Sequence, residues 1–257
     1  MATLNAAADL PRSLGSLADQ DSRDFEVLIV DGGSTDQTCQ QAANLLQMAA
    51  IRHRVIALPG STIYGALNHG VYEAEGEWVY VMGADDRLIT EGVLTTVAPI
   101  LRSATSQTLV VHGDVWIEDP GYRYGQLWDW PRFLDRNISH QSAFYRRRPI
   151  GAMGINYDEK YALYADWDYN LKVFASGRFQ YVPILIASYA CTGASSRRVD
   201  ELFLVEKEKN ARRYLGWRAV LLLPPHRFAL AAEKRPTLVF RLQLLLNRFF
   251  WAWKRPR

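Results

Sequence analysis

The chain has 257 residues, 49% of them apolar, and a formal charge of +3. That length fits one α/β domain or two small ones, and the apolar share excludes global disorder. With no uncharged apolar run of about 18 residues and no basic-then-apolar leader, neither a spanning helix nor an export signal is expected. The charge is uneven: from Lys207 onward, thirteen Lys/Arg face only Glu208 and Glu233. The basic end suits an anionic surface and the body does not. Cys39 and Cys191 lack metal-ligand spacing and read as buried thiols of a cytosolic protein.

In chain order, Met1 to Asn5 is too short for a good strand. Asp9 to Gln20 reads as a helix, with Leu10, Leu14 and Leu17 at helical spacing and Pro11 early in it. Phe25 to Val30 is an apolar strand that runs into Asp31-Gly32-Gly33-Ser34-Thr35-Asp36. A helix follows from Thr38 to about Ala50, which makes half of a βαβ unit. Asp31, at the carboxyl end of its strand, can accept from a ribose hydroxyl or a base N–H. Equally, the segment is a turn with Ser34 or Thr35 as helix cap. A P-loop is disfavoured, since GxxxxGK[ST] is missing. Arg54 to Leu58 is a second strand, and Ile63 to Glu73 a helix holding Gly65 and Gly70. Asn68 and His69 within it are surface residues or ligand contacts.

Trp78 to Met82 is the apolar strand around which the chain is organised. It ends in Gly83-Ala84-Asp85-Asp86. In open α/β sheets, ligands bind at that strand edge, and a carboxylate there can hold a hard divalent cation. The plainer reading is a polar turn. A helix from Glu91 to about Arg102 and a strand from Leu109 to His112 complete an alternation that predicts a mostly parallel sheet.

From Val115 aromatics become dense (Trp116, Tyr122, Tyr124, Trp128, Trp130), either as core or as rings that line a sugar pocket. His140-Gln141-Ser142 precedes a run of arginines. Tyr164-Ala165-Asp166-Trp167-Asp168 opens an amphipathic helix through Phe174. Asp there is a dipole partner or, if it faces a pocket, a general base. Phe179 to Val182 and Ile186 to Tyr189 are strand-like. Thr192 to Arg198 is a polar loop, and Asp200 onward is helical. Thr237 to Trp253 is an apolar helix followed by Lys254, Arg255 and Arg257. It packs on the body, meets another copy, or docks on a membrane surface.

VDGGSTDQT, IYGALNHG, GEWVYVMGADD, HGD, HQSAFYRR, ADWDYNL and TGASS occur in this order. The ordered set resembles the family-2 glycosyltransferases of bacterial surface-polysaccharide synthesis, with a GT-A fold, over roughly residues 3–205. It is most similar to the colanic-acid and exopolysaccharide type. The resemblance implies inverting transfer from a nucleotide-diphospho-sugar to a hydroxyl of a glycan or lipid-linked glycan, aided by Mg2+ or Mn2+. The implied donor set is Asp31, Gly33, Asn68, Asp85 and Asp86, with Asp85 on the metal. Asp166 matches the catalytic-base position. His140, Gln141, Trp167, Ser195 and Ser196 match the acceptor or sugar side. The implied organisation is a nucleotide-sugar half over 1–115, an acceptor-side half over 116–205 and a basic apolar extension over 206–257, in a cytoplasmic protein peripheral on the membrane face.

Three positions depart from the pattern. Gly83 replaces the usual first aspartate of DxD, and Gly65 stands where relatives carry Asp. The strand expected before Asn5 is nearly missing, which reads as an N-terminal truncation. Two other functions fit parts of the sequence: a nucleotidyltransferase, which ordinarily wants a basic glycine-rich N-terminal loop, and a catalytically weak nucleotide-sugar-binding scaffold. Nucleic-acid binding is not expected, because the basic residues sit in an apolar tail.

Overall fold

The computed structural model describes residues 1–190 and 199–219. Ser195, Ser196, Cys191 and the helix expected over Thr237 to Trp253 lie outside the described residues.

Three parallel strands make the first sheet, in the order β1 (Ala2–Thr3), β2 (Glu26–Asp31), β3 (Arg52–Ala57). Helices α1 (Leu10–Ala18) and α2 (Thr38–Met48) connect them. Leu10, Leu14 and Leu17 of α1 are buried, as their spacing requires, beside Ile29 and Leu46. The segment before Asn5, expected to be too short, does pair as a strand. Thr3 aligns with Asp31, and Val30 N–H and Gly32 N–H donate to the carbonyls of Met1 and Thr3. Backbone ladder bonds from β2 supply what the segment's two residues cannot supply by length. Cys39, expected inside, is only half-buried.

Helix α3 (Ile63–Glu73) has the expected bounds because Thr62 caps it, its side-chain oxygen accepting from Gly65 N–H at 2.9 Å. From here the topology changes. The second sheet runs β4 (Trp78–Tyr80), β8 (Ala143–Arg146), β6 (Thr108–Ile117), β9 (Arg178–Tyr189), β5 (Arg87–Leu88), with β7 (Tyr122–Tyr124) on β6. Only β6 and β9 pair in parallel; the other pairs are antiparallel. Parallel pairing thus holds in the first sheet and gives way to a mixed second sheet, because β8 enters between β4 and β6. Local alternation of strands and helices does not reveal such an insertion. The two strands read around Pro183 are one strand, whose register shifts opposite His112 and Asp114. β6 passes without a break through position 115.

The remaining helices are α4 (Val93–Ser103), α5 (Trp130–Asp135), α6 (Arg147–Ala152), α7 (Ala165–Ser176) and α8 (Glu201–Leu215). One core is largely aliphatic, between α1, α2, α4 and the sheets. The other is aromatic, under α5, α7 and α8, and takes in Trp128 and Trp130, which are buried core residues. Trp116 is 39% exposed and lies outside that core. No described helix is long and apolar enough to cross a membrane.

Candidate active site

The chain leaves β4 through Val81 and Met82, both buried, into Gly83-Ala84-Asp85-Asp86. A Cβ on Gly83 would stand 2.7 Å from Asp86 Oδ2 and 2.9 Å from Asp85 Oδ1. The two carboxylates close over this glycine, so a side chain in place of Gly83 would compete with them for space. Asp86 is 1% exposed. Its Oδ2 accepts from Gly83 N–H and from Gln141 Nε2, each at 3.0 Å, whereas its Oδ1 is buried without a hydrogen-bond partner. Burial pushes its carboxyl above the ordinary range; the nearby His140 opposes this and Asp85 adds to it. Gln141 is held in turn: Tyr80 OH donates to its carbonyl at 2.8 Å and Ser139 Oγ to its Oε1 at 2.6 Å.

An orphaned carboxylate oxygen beside a second carboxylate suits a hard cation, whose ligands are oxygens. No group of three or more His, Cys, Asp or Glu able to hold a metal occurs among the described residues. A cation at Asp85 and Asp86 would therefore draw further oxygens from a bound ligand and water, as Mg2+ commonly does.

Opposite stands Asp166, in the first turn of α7. The Asp200 carboxylate accepts from Leu163 N–H at 2.9 Å, Tyr164 N–H at 3.4 Å and Phe203 N–H at 3.1 Å. It thereby caps α8 and pins the turn that leads into α7. Two residues on, Asp168 points elsewhere. It is fully buried, ion-paired with Lys172 at 2.7 Å, and accepts from Tyr214 OH at 2.7 Å and Asn210 Nδ2 at 3.3 Å. Neighbours two apart on a helix face different sides. The ADWD stretch therefore divides one acid for α8 and one for the cavity.

Asp166 Oδ2 accepts from Asn137 Nδ2 at 2.8 Å and faces His140 Nδ1 at 3.4 Å; Tyr64 OH is 3.3 Å from its Oδ1. His140 titrates above its ordinary value. Burial disfavours its charge, but the hydrogen bond to Asp166 and the charges of Asp166, Asp86 and Asp85 together outweigh that cost. A cavity of about 470 Å3 is lined, among others, by Tyr64, Asp85, Asp86, His140, Gln141, Asp166 and Trp167, so that it takes in both acidic groups. Tyr122 and Tyr124 also line it. Trp167 contributes only an edge: it is 9% exposed, donates from Nε1 to Phe133 O at 2.6 Å and packs on Phe203.

Of the residues singled out in the sequence, Asp85, Asp86, His140, Gln141, Asp166 and Trp167 line this one cavity. Asp31, Gly33 and Asn68 do not line that cavity. Asp31 is 2% exposed, and four donors already occupy its carboxylate: Thr3 Oγ1 at 2.9 Å, Gly33 N–H at 3.0 Å, Ser34 N–H at 2.7 Å and Ser34 Oγ at 2.6 Å. Gly33 has φ +103° and lies 3.3 Å, at its missing Cβ, from Pro59 Cα. It shapes that turn. The Asn68 amide is spent on Tyr157, donating to its carbonyl at 3.0 Å and accepting from its N–H at 2.9 Å. Tyr64 and Asn137 were missed. Tyr64 sits in an apolar helix pattern, and Asn137 in a segment whose aromatic density drew attention away from it.

A three-stranded parallel sheet joined to a mixed one is the fold of the GT-A class. The sequence model of Glycosyl transferase family 2 matches residues 1–163, and the chain belongs to that family. A Mycobacterium bovis protein named "PGL/p-HBAD biosynthesis glycosyltransferase" is 35% identical over 99% of this chain and 96% of its own length. Among solved structures, a TarS fragment from S. aureus in complex with UDP-GlcNAc superposes with TM-score 0.66 at 18% identity, over 94% of this chain and 76% of its own. The mannosyltransferase PcManGT from Pyrobaculum calidifontis, in complex with GDP-Man and Mn2+, superposes with TM-score 0.59 at 17% identity, over 96% of this chain and 66% of its own. These two likenesses bear on the fold.

Proposed function

We propose that the protein transfers a sugar, with inversion, from a nucleotide-diphospho-sugar to an acceptor hydroxyl during synthesis of a bacterial surface glycolipid or polysaccharide. The observation that carries this reading is the placement of Asp166 in the same cavity as Asp85 and Asp86. Sugar transfer needs a base on the acceptor side and charge stabilisation on the leaving-group side. Asp166 takes the proton of the acceptor hydroxyl. The freed oxygen forms a bond to the anomeric carbon from the face opposite the diphosphate. The bond from that carbon to the diphosphate breaks, and its electron pair leaves with the nucleotide. Mg2+ or Mn2+ held at Asp85, with Asp86 behind it, would neutralise the departing diphosphate. His140, beside Asp166 and held above its ordinary titration range by the surrounding carboxylates, adds a group that favours positive charge to the site. Tyr122 and Tyr124, which line the cavity, would bound the sugar or acceptor.

The mycobacterial relatives' name supports a glycolipid context, ahead of the colanic-acid type that motif order alone suggests. Membrane-surface work at the cytoplasmic face is supported by the basic residues from Lys207 onward and by exposed Val205 before them and exposed Trp217 among them. The test is thermal shift with UDP, GDP and dTDP, each with and without Mn2+, followed by turnover. At a hundred times its dissociation constant a nucleotide stabilises by about 2.7 kcal/mol. We expect a Mn2+-dependent shift with one base, lost in Asp85→Ala. Asp166→Ala should keep that shift and lose turnover by about 100- to 10,000-fold. Full turnover in Asp166→Ala would remove the base assignment. Nucleotide binding by a wild type that turns nothing over would favour the scaffold reading.

A further inference from the structure

Asp166 is held by a chain of hydrogen bonds, buried at its Tyr145 end and part-buried at Asn137, that runs in one sense. Tyr145 OH donates to Asn170 Oδ1 at 2.8 Å, Asn170 Nδ2 donates to Asn137 Oδ1 at 2.9 Å, and Asn137 Nδ2 donates to Asp166 Oδ2 at 2.8 Å. Tyr145 is on β8, Asn170 is one turn after Asp166 on α7, and Asn137 is in the loop before His140. The Asn137 backbone is anchored separately, its carbonyl accepting from Tyr124 OH at 2.6 Å. Asn170 is fully buried and Tyr145 3% exposed, among Tyr157 and Tyr169. Polar groups in such surroundings are costly unless every member is satisfied, so their retention in a chain that ends on one carboxylate calls for a function.

We infer that Tyr145, Asn170 and Asn137 are positioning residues that fix the orientation of Asp166 and leave its Oδ1 as the oxygen that receives the acceptor's proton. This deepens the transferase reading and rests on it. An amide can present either its oxygen or its nitrogen, and only one presentation suits a carboxylate. Were Asn137 turned over, its Oδ1 would meet Asp166 and its Nδ2 would meet Asn170 Nδ2, so both contacts would fail. The Tyr145 phenol, buried and titrating well above its ordinary value, stays an O–H donor and orients Asn170 in the productive sense. At the far end, Asp166 Oδ2 is occupied by Asn137 and His140. Among the described residues, Oδ1 is approached by Tyr64 OH, whose single proton is shared with the carbonyl of Leu163. Oδ1 therefore keeps acceptor capacity, and Oδ2 is the tether.

The test compares Asn137→Ala, Tyr145→Phe, their double variant and Asp166→Asn. Turnover is read as nucleotide release from a panel of UDP- and GDP-hexoses with alkyl and aryl glycoside acceptors. Asn137→Ala should lower kcat by about 10- to 100-fold, since a small misplacement of a reacting group has that scale of effect. Tyr145→Phe, which keeps the ring, should lower it by roughly 2- to 10-fold. Donor KM and the nucleotide-induced thermal shift should stay unchanged in both. The double variant should be no slower than Asn137→Ala, because the phenol acts only through that amide. Turnover that survives Asp166→Asn overturns the catalytic reading. Turnover lost in Asp166→Asn but kept at wild-type kcat in Asn137→Ala and Tyr145→Phe overturns the relay alone, as do additive losses in the double variant. A second readout needs no turnover: the side-chain amide resonance of Asn137, assigned by its loss in Asn137→Ala. It should move in Asp166→Asn and again in Tyr145→Phe, and an unmoved resonance in Tyr145→Phe overturns the relay.

Discussion

Asp31 and Asp86 both follow apolar strands and both are nearly inaccessible, at 2% and 1% exposure. Their surroundings differ. The oxygens of Asp31 take four hydrogen bonds from Thr3, Gly33 and Ser34. Burial would raise its carboxyl, but those donors outweigh it and hold the group below the ordinary range. Asp86 has one oxygen with two donors and another with none, and its carboxyl is pushed up. A saturated carboxylate organises its own turn. A half-satisfied one beside a second acid and a cavity keeps an oxygen without a donor, which is what the proposed cation would use. Burial alone does not separate the two cases; the count of donors does.

The comparison can be broken most forcefully at Asp31. Asp31→Ala strands the N–H groups of Gly33 and Ser34 and two hydroxyls, and should cost about 4 kcal/mol in urea unfolding, at about 1–3 kcal/mol per buried unsatisfied group. A loss under about 1 kcal/mol would mean that water replaces the carboxylate. The pH dependence has a definite sign. A carboxyl depressed in the folded state stabilises above its unfolded value, and that stabilisation is lost as pH falls through the folded one. The acid limb of the stability curve should therefore be shallower in Asp31→Asn.

His112 supplies a control: a buried group with an orphaned atom that does not line the Asp85–Asp166 cavity. It is 1% exposed, its Nδ1 has no partner, and burial lowers its pKa from 6.5 to about 4. The unfolded chain takes up a proton that the folded one refuses, so stability should fall as pH drops from 6.5 towards 4. The full effect is roughly 3 kcal/mol. His112→Phe should flatten that interval in pH-dependent thermal unfolding and leave nucleotide binding intact.

Smaller stability effects are expected at the Asp85–Asp86 end. Gly83→Ala pushes its methyl into Asp85 and Asp86. Those are side-chain tips that can swing away, so the cost should be about 1 kcal/mol. The Mn2+-dependent nucleotide shift should weaken strongly, because both carboxylates move. Asp86→Asn should change stability least, by under about 1 kcal/mol, since it removes a buried charge while keeping an acceptor. It should still abolish Mn2+-dependent nucleotide binding in titration calorimetry. A large loss of stability there would place Asp86 with Asp31 as a structural acid.

The elements that were legible carried their instructions locally. Leu10, Leu14 and Leu17 mark α1, Thr62 marks the start of α3, and the apolar run into Asp85-Asp86 marks the strand exit. The strand formed by Ala2 and Thr3 was not legible, because its stability comes from β2. The antiparallel entry of β8 between β4 and β6 was not legible either, because 62 residues separate Tyr80 from the start of β8 at Ala143 (143 − 80 − 1).

By itself the sequence determined the run of strands and helices, the two acids at the exit of β4 and the acid at the start of α7, since short-range patterns encode these. Only the tertiary structure decided which polar groups remain available for chemistry. Asp31 is closed by Thr3, Asn68 is taken by Tyr157, and Asp166 is turned towards the cavity by Asn137, Asn170 and Tyr145. Apart from the Asp31 turn, these partners come from distant parts of the chain. Hydrogen-bond saturation is a property of neighbours in space, and the local pattern of residues carries no record of it.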